Sequence, residues 1–200
     1  MLILSSLQLD TLKEIGTIGA GNAASGLSIL VNNRVEISIP KVQFLALQEV
    51  ANSLGYAEQP VCAIYLELKG EINGFAMLIF SQGNAANLVN LMLNQEKISG
   101  DIFNEYEKSA LKELGNISAA AYLNALAGLT GFKITCSIPY FAMDMLGAVL
   151  DQVLAAIATE VDYAVLIETA FSIGQSNVNG YFLLLPNIEG LKMILKKLHV

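Results

Sequence analysis

The chain reads as an α/β protein of the α+β kind. It is expected to be a single pseudo-twofold domain of two repeated halves, with a mostly antiparallel sheet flanked by helices. Three observations predict this. Helical periodicity and strand-like alternation follow one another in the same order twice. Turn signals join neighbouring strands as hairpins, which makes the pairing antiparallel. The chain also aligns with itself at a spacing of 99 residues, the separation of Glu14 from Glu113. Repeats of approximately 5–97 and 101–198 then share one domain over 1–200.

The first half opens with Ser5 followed three residues on by Gln8, a capping-box signal. Leu9, Leu12, Ile15 and Ile18 recur at helical spacing, a small-residue run covers 16–26, and Asn32-Asn33 ends the helix. Residues 35–47 alternate as a strand, in which Pro40 marks an edge or a break in pairing. A short helix over 48–54 is closed by Gly55. Strands over 60–69 and 74–80 turn around Lys69–Asn73, with Asn73-Gly74 as the turn signal. Residues 82–95 are an amphipathic helix.

The plan restarts after Ser99-Gly100. Asp101, Glu105 and Glu107 favour a helix start through the dipole, and that helix reaches Gly131. A strand over 132–138 ends at Pro139. A helix over 145–158, strands over 163–173 and 178–185 turning at Gly174–Gly180, and a helix over 187–198 complete the half. The Met143–Met145 region and the apolar 145–158 helix read as core. Lys192, Lys196 and Lys197 read as charge at a helix C-terminus, and His199 as a terminal residue.

Bulk properties narrow the function. With 200 residues, 54% of them hydrophobic, the chain can bury a substantial core. A net charge of −7 argues against a nucleic-acid partner, which needs a Lys/Arg surface. The one histidine makes a His-based triad or metal cluster improbable. Cys62 and Cys136 sit in apolar, strand-like settings and read as buried free thiols. The apolar stretches fall short of a span or are broken by residues such as Asp144 and Asp151, so no membrane insertion is expected. With no secretory n-region at the start, the reading is a cytoplasmic protein.

The repeat carries the functional signal. Leu12-Lys13-Glu14-Ile15-Gly16-Thr17 falls on Leu111-Lys112-Glu113-Leu114-Gly115-Asn116, Asp10 on Ser109, and Pro40 on Pro139. Twenty-two residues separate Thr17 from Pro40, and Asn116 from Pro139. Spacings of three and four place Ser109, Glu113 and Asn116 on one helix face, as they do Asp10, Glu14 and Thr17. A core-facing stripe would be apolar, so this polar face is either solvent-exposed surface kept by duplication or a site.

The pattern Asp/Ser-x-x-x-Glu-x-x-Asn, followed by that spacing and a proline, resembles the CheC-type chemotaxis phosphatases, which include CheX and FliY. The second copy matches through Ser109, Glu113, Asn116 and Pro139. The first matches at Asp10, Glu14 and Pro40, with Thr17 where the pattern has Asn. Two copies in one chain, without an added C-terminal switch domain, are similar to the CheC branch.

The resemblance implies hydrolysis of the aspartyl phosphate of a CheY-type response regulator. Asn116 is then expected to orient the attacking water and Glu113 to pair with a lysine of the partner. Any Mg2+ is expected to come from that partner, with no cofactor of the chain's own. Thr17 has a shorter side chain with a single donor. The Glu14–Thr17 site is therefore expected to be a degenerate second site, weak or silent in catalysis but able to dock through Glu14. The receptor deamidase CheD is a further partner the resemblance allows. Two halves in one chain can satisfy the symmetry as a monomer.

Two other readings stand beside this one. The run Gly19-Ala-Gly21-Asn-Ala-Ala24 resembles a dinucleotide fingerprint. It follows a helical pattern rather than a strand, so close helix packing accounts for it better. The alternative of a different class is a non-enzymatic adaptor that binds phosphorylated response regulator or CheD.

Overall fold

The computed structural model describes residues 4–39, 41–55, 58–94, 103–157 and 162–197. Pro40, His199 and Asp101 lie outside the described residues, as does Ser99-Gly100. Each half opens on a helix of 26 residues, α1 over Ser6–Val31 and α4 over Glu105–Thr130. The two helices begin 99 residues apart but are capped by different chemistry. Ser5 Oγ accepts from Gln8 N at 3.2 Å while Gln8 Oε1 accepts from Ser5 N at 2.8 Å. On α4 the cap is Asn104, whose Oδ1 accepts from Tyr106 N and Glu107 N, and Glu107 closes the box by accepting from Asn104 N at 2.7 Å. Asn32 ends α1 at φ 48° and Gly131 ends α4 at φ 75°, both left-handed.

The remaining elements of the first half are β1 (Val35–Ser38), β2 (Val42–Ala46), α2 (Val50–Leu54), β3 (Pro60–Gly70), β4 (Gly74–Ser81) and α3 (Gln82–Leu93). The second half continues with β5 (Ile134–Cys136), β6 (Tyr140–Met145), α5 (Leu146–Ile157), β7 (Tyr163–Ile173), β8 (Ser176–Pro186) and α6 (Ile188–Lys197). The strand read over 35–47 is thus a pair of short strands, β1 and β2. In the second half the sequence reading is corrected. Its strand over 132–138 is only three residues long, and β6 was not anticipated. Pro139 cannot donate to a ladder, so pairing with β3 stops and resumes at Tyr140.

Among the described residues the strands form one eight-stranded sheet in the order β1-β7-β8-β4-β3-β5, with β2 also on β7 and β6 also on β3. Every pairing is antiparallel. The halves exchange strands. β1 and β2 pair with β7 of the second half, and β5 and β6 with β3 of the first. β4 and β8 meet at the centre. The offset that carries Phe75 to Tyr181 also carries Met77 to Leu183, and those two residues are register partners. The flanking pairs Phe75–Leu185 and Ile79–Tyr181 exchange under the same operation. The local twofold therefore passes between Met77 and Leu183.

Helices cover both faces. Leu12, Ile15, Leu111, Leu114, Leu88 and Leu191, from α1, α4, α3 and α6, pack on one face with Ile64, Leu66, Ile167 and Phe182. On the other face α2 and α5 bury Val50, Leu54, Leu146, Val149, Leu150 and Val153 against Val61, Ala63, Met77 and Leu183. Of the helix read over 145–158, α5 buries one face in the core as expected, residue 158 lies outside the described residues, and Met145 is exposed at the end of β6.

The second hairpin differs from its expectation. β7 and β8 are joined by Gly174-Gln175 alone, with Ile173 opposite Ser176 and Gly174 at φ 61°. Asn179-Gly180 consequently lies inside β8 instead of in a turn. The extra residues of this half lengthen the hairpin: β8 has 11 residues where β4 has 8. Both cysteines are free, Cys62 fully buried and Cys136 half-buried.

Candidate functional site

The two motif helices lie side by side on the sheet and run antiparallel. A Cβ on Gly19 would stand 2.8 Å from Tyr122 Cα, and one on Gly26 would stand 2.9 Å from Ile117 Cγ2. As numbers rise on α1 they fall on α4. Gly19 thus belongs to helix packing, as the small-residue reading expects, and Tyr122 stacks on Phe182 at 4.1 Å between ring centroids. Gly21 has nothing within 4 Å and plays no part in that contact.

One residue of each motif presses on the sheet. A Cβ on Gly115 would overlap Ile64 Cγ2 and stand 3.0 Å from Ile64 Cβ. On Gly16 it would stand 3.0 Å from Ile39 Cδ1 and 3.5 Å from Ile167 Cδ1. Ile64 on β3 and Ile167 on β7 are counterparts. With Gly16 and Gly115 inward, along with Leu12, Ile15, Leu111 and Leu114, the opposite stripe must face out. Asp10, Glu14 and Thr17 are exposed, as are Ser109 and Glu113, and Asn116 is half-buried. The structure brings each triad onto one outward face, but leaves them on separate helices as two sites. The Leu-Lys-Glu-x-Gly-x match held the signal for the two glycines, because only their lack of a side chain is common to both copies at that place. The sequence reading did not use it.

The two sites are chemically unequal. Thr17 Oγ1 donates to Lys13 O at 2.8 Å, the back-bond of a helical threonine. Its single proton is committed to the helix, leaving only acceptor capacity. The Asn116 carboxamide makes no hydrogen bond among the described residues, so its oxygen and both N–H groups are available. Glu113 and Glu14 likewise make no ion pair among the described residues, whose four ion pairs involve other side chains. Near the start of α4, Lys108 Nζ lies 2.8 Å from Glu105 Oε1. That hydrogen bond and charge hold the Glu105 carboxyl below its ordinary range. Pro139 sits half-buried between β5 and β6.

No group of three or more His, Cys, Asp and Glu that could hold a metal ion occurs among the described residues. A cavity of about 230 Å3, lined by Leu54, Gln59, Ser81, Asn84 and Tyr181 among others, opens on the α2–α5 face of the sheet, away from both motifs. Among the described residues no helix is long and apolar enough to cross a membrane.

Comparison with known proteins matches two windows of the chain. The CheC-like family profile matches residues 7–43 and 107–141, windows that contain Asp10 through Pro40 and Ser109 through Pro139. The chain is 29% identical over 191 residues to the CheY-P phosphatase CheC of Bacillus subtilis, covering 94% of this chain and 91% of that one. It is 27% identical over 137 residues to the flagellar motor switch phosphatase FliY of the same organism, covering 68% of this chain and 35% of FliY. The structure of Thermotoga maritima FliY superposes with a TM-score of 0.81 at 18% identity, covering 99% of this chain and 98% of that one, a likeness of fold. Both motif windows are thus matched by the CheC-like family profile, and the Bacillus subtilis CheC aligns over nearly the whole chain.

Proposed function

We propose that this chain hydrolyses the aspartyl phosphate of a chemotaxis response regulator of the CheY type, and that the work is done at the Glu113–Asn116 face of α4. The observation that carries this reading is the free carboxamide of Asn116, held outward one turn from Glu113. The CheC and FliY of Bacillus subtilis both bear the name of phosphatase, and that CheC is named for CheY-P.

The chemistry needs little from the enzyme. An acyl phosphate carries a good leaving group, so positioning a water in line is a sufficient contribution. The Asn116 oxygen accepts from that water while its N–H group donates to it or to a phosphoryl oxygen. The water oxygen bonds to phosphorus and the bond from phosphorus to the aspartyl oxygen breaks. The aspartate leaves as a carboxylate, and the water's proton passes to the phosphate product or to solvent. Glu113 anchors the helix on a lysine of the partner. Mg2+ belongs to the partner's phosphorylation site. Glu14 and Thr17 form a second, degenerate site in which the committed Thr17 hydroxyl cannot replace the amide.

The test is phosphate release from acyl-phosphorylated CheY-type regulator with wild type and Asn116→Ala. Wild type is expected to speed release, and the variant to lose roughly 10²-fold of that gain. Decay unchanged by micromolar wild type would overturn the enzymatic reading and leave the adaptor. Full activity in Asn116→Ala together with its loss in Glu14→Ala would invert the assignment of the two sites.

A further inference from the structure

The two motif faces differ in their apolar surroundings as well as in Asn116 and Thr17. Ile29 on α1 is 84% exposed. It lies one turn beyond Gly26, on the same side of the helix, and Gly26 abuts Ile117 on α4. Glu113 lies one turn before Ile117 on the antiparallel helix. Ile29 and Glu113 therefore come level across the seam. At the other site the counterpart of Ile29 is Gly128, which has no side chain and nothing within 4 Å.

A second pair repeats the difference. Ile39 precedes Pro40 and packs against the core, with its Cδ1 at Gly16. Its counterpart Ile138 precedes Pro139 and is 77% exposed. Ser137 N still donates to Glu67 O at 2.9 Å, so the extended chain stays on β3 up to the residue before Ile138. Gly115, the neighbour of Asn116, rests on Ile64 of that strand. Two bare isoleucines thus flank the Asn116 site, where the Thr17 site has a glycine and a tucked side chain. Single exposed apolar residues are ordinary. Two of them, from separate elements, both at one site and both absent from its twin, are not explained by chain stability.

We propose that Ile29 and Ile138 are specificity-determining docking residues, which bury against an apolar surface beside the acyl phosphate of the phosphorylated receiver domain. The inference rests on the proposed phosphatase reading, and its occupant is fixed by continuity with the Glu113–Asn116 face. It makes docking uneven: the Glu14–Thr17 face has Ile18 partly exposed beside Thr17 but lacks the amide and both of these isoleucines, so it holds a partner less well.

The test measures phosphate release against concentration of phosphorylated regulator for wild type, Ile29→Ser, Ile138→Ser and Ile29→Leu, with Asn116→Ala as the chemical control. Each Ser variant is expected to raise KM roughly tenfold, the effect of leaving one such side chain unburied, with kcat unchanged. Ile29→Leu should retain the wild-type KM. The exposure of both positions leaves folding intact, which circular dichroism verifies. Wild-type activity that depends on Asn116, with an unchanged KM in both Ser variants, would overturn the docking role while leaving the phosphatase reading standing. A fall in kcat at constant KM would overturn it too. Inactive wild type would remove both.

Discussion

Replacing Gly115 by alanine tests how the fold aims the site. The added methyl would overlap Ile64 Cγ2 and stand 3.0 Å from Ile64 Cβ. Ile64 is fully buried and β-branched, with Leu78 on one side and Phe141 on the other by strand register. It cannot rotate away, so α4 must lift. Overpacking of this kind costs about 1–3 kcal/mol, and contact with a fixed side chain puts it in the upper part of that range. Alanine returns about 1 kcal/mol of helix propensity, so the net loss is about 1–2 kcal/mol. Gly16→Ala is the internal control. Its nearest neighbour is Ile39 Cδ1 at 3.0 Å, the far end of a flexible side chain. That end can yield, and the propensity gain should hold the net within about 0.5 kcal/mol of zero. Urea unfolding followed by circular dichroism gives both values, and the Tm of Gly115→Ala should drop by roughly 2–8 °C. In an Ile64→Ala background the same methyl should become favourable, because it fills the space left behind. Equal stability of Gly115→Ala and Gly16→Ala, or additivity with Ile64→Ala, would refute the argument that this glycine sets the height of α4.

Two further outcomes follow from the asymmetry and from burial. Thr17→Asn combined with Gly128→Ile should restore the amide and one of the two apolar contacts at the first site. Phosphate release should then survive Asn116→Ala in that background, whereas it should not in the Thr17→Asn chain alone. Burial pushes the Cys62 thiol from 9.0 up to about 12 and the Tyr122 phenol from 10.0 up to about 12, the latter against a smaller opposing pull from Thr169. Above pH 9 the unfolded chain releases these protons while the native chain keeps them. The unfolded state then binds fewer protons, and stability falls from about pH 9 to about 12. Denaturant midpoints across that range should decline less steeply in Cys62→Ala and in Tyr122→Phe than in wild type.

Much of this was legible in the residues. The capping box at Ser5, the Asn32 stop and the 99-residue self-match located α1 and α4, and the polar stripe named the outward face before any coordinates. What periodicity could not carry was pairing across the halves. Strand exchange is a relation between segments far apart in sequence, and nothing local in Val42–Ala46 names Tyr163–Ile167 as its partner. The β6 strand escaped notice because Tyr140–Met143 is an apolar run and the single polar residue after it, Asp144, does not make the alternation that marks a strand. The two-residue turn at Gly174 escaped because Asn179-Gly180 carried the stronger turn signal, yet it is held inside a ladder by Thr169 and Ala170 of β7. At the site, residue type identified Glu113 and Asn116. The states of Thr17, whose hydroxyl turns back on its own helix, and of Ile29, left bare, depend on packing that only the fold supplies.

The exchange of strands between halves has a genetic corollary. Each motif face is built by both halves: Asn116 stands on α4 with Ile29 across the seam on α1, and Thr17 on α1 with Gly128 across from it on α4. In a dimer of identical chains every substitution would be written twice, so a change at one face would be forced on the other. Joining the halves by a peptide link removes that copying. One face can drift, specialise or fall silent while its twin is held fixed, without loss of the shared sheet that supports them both.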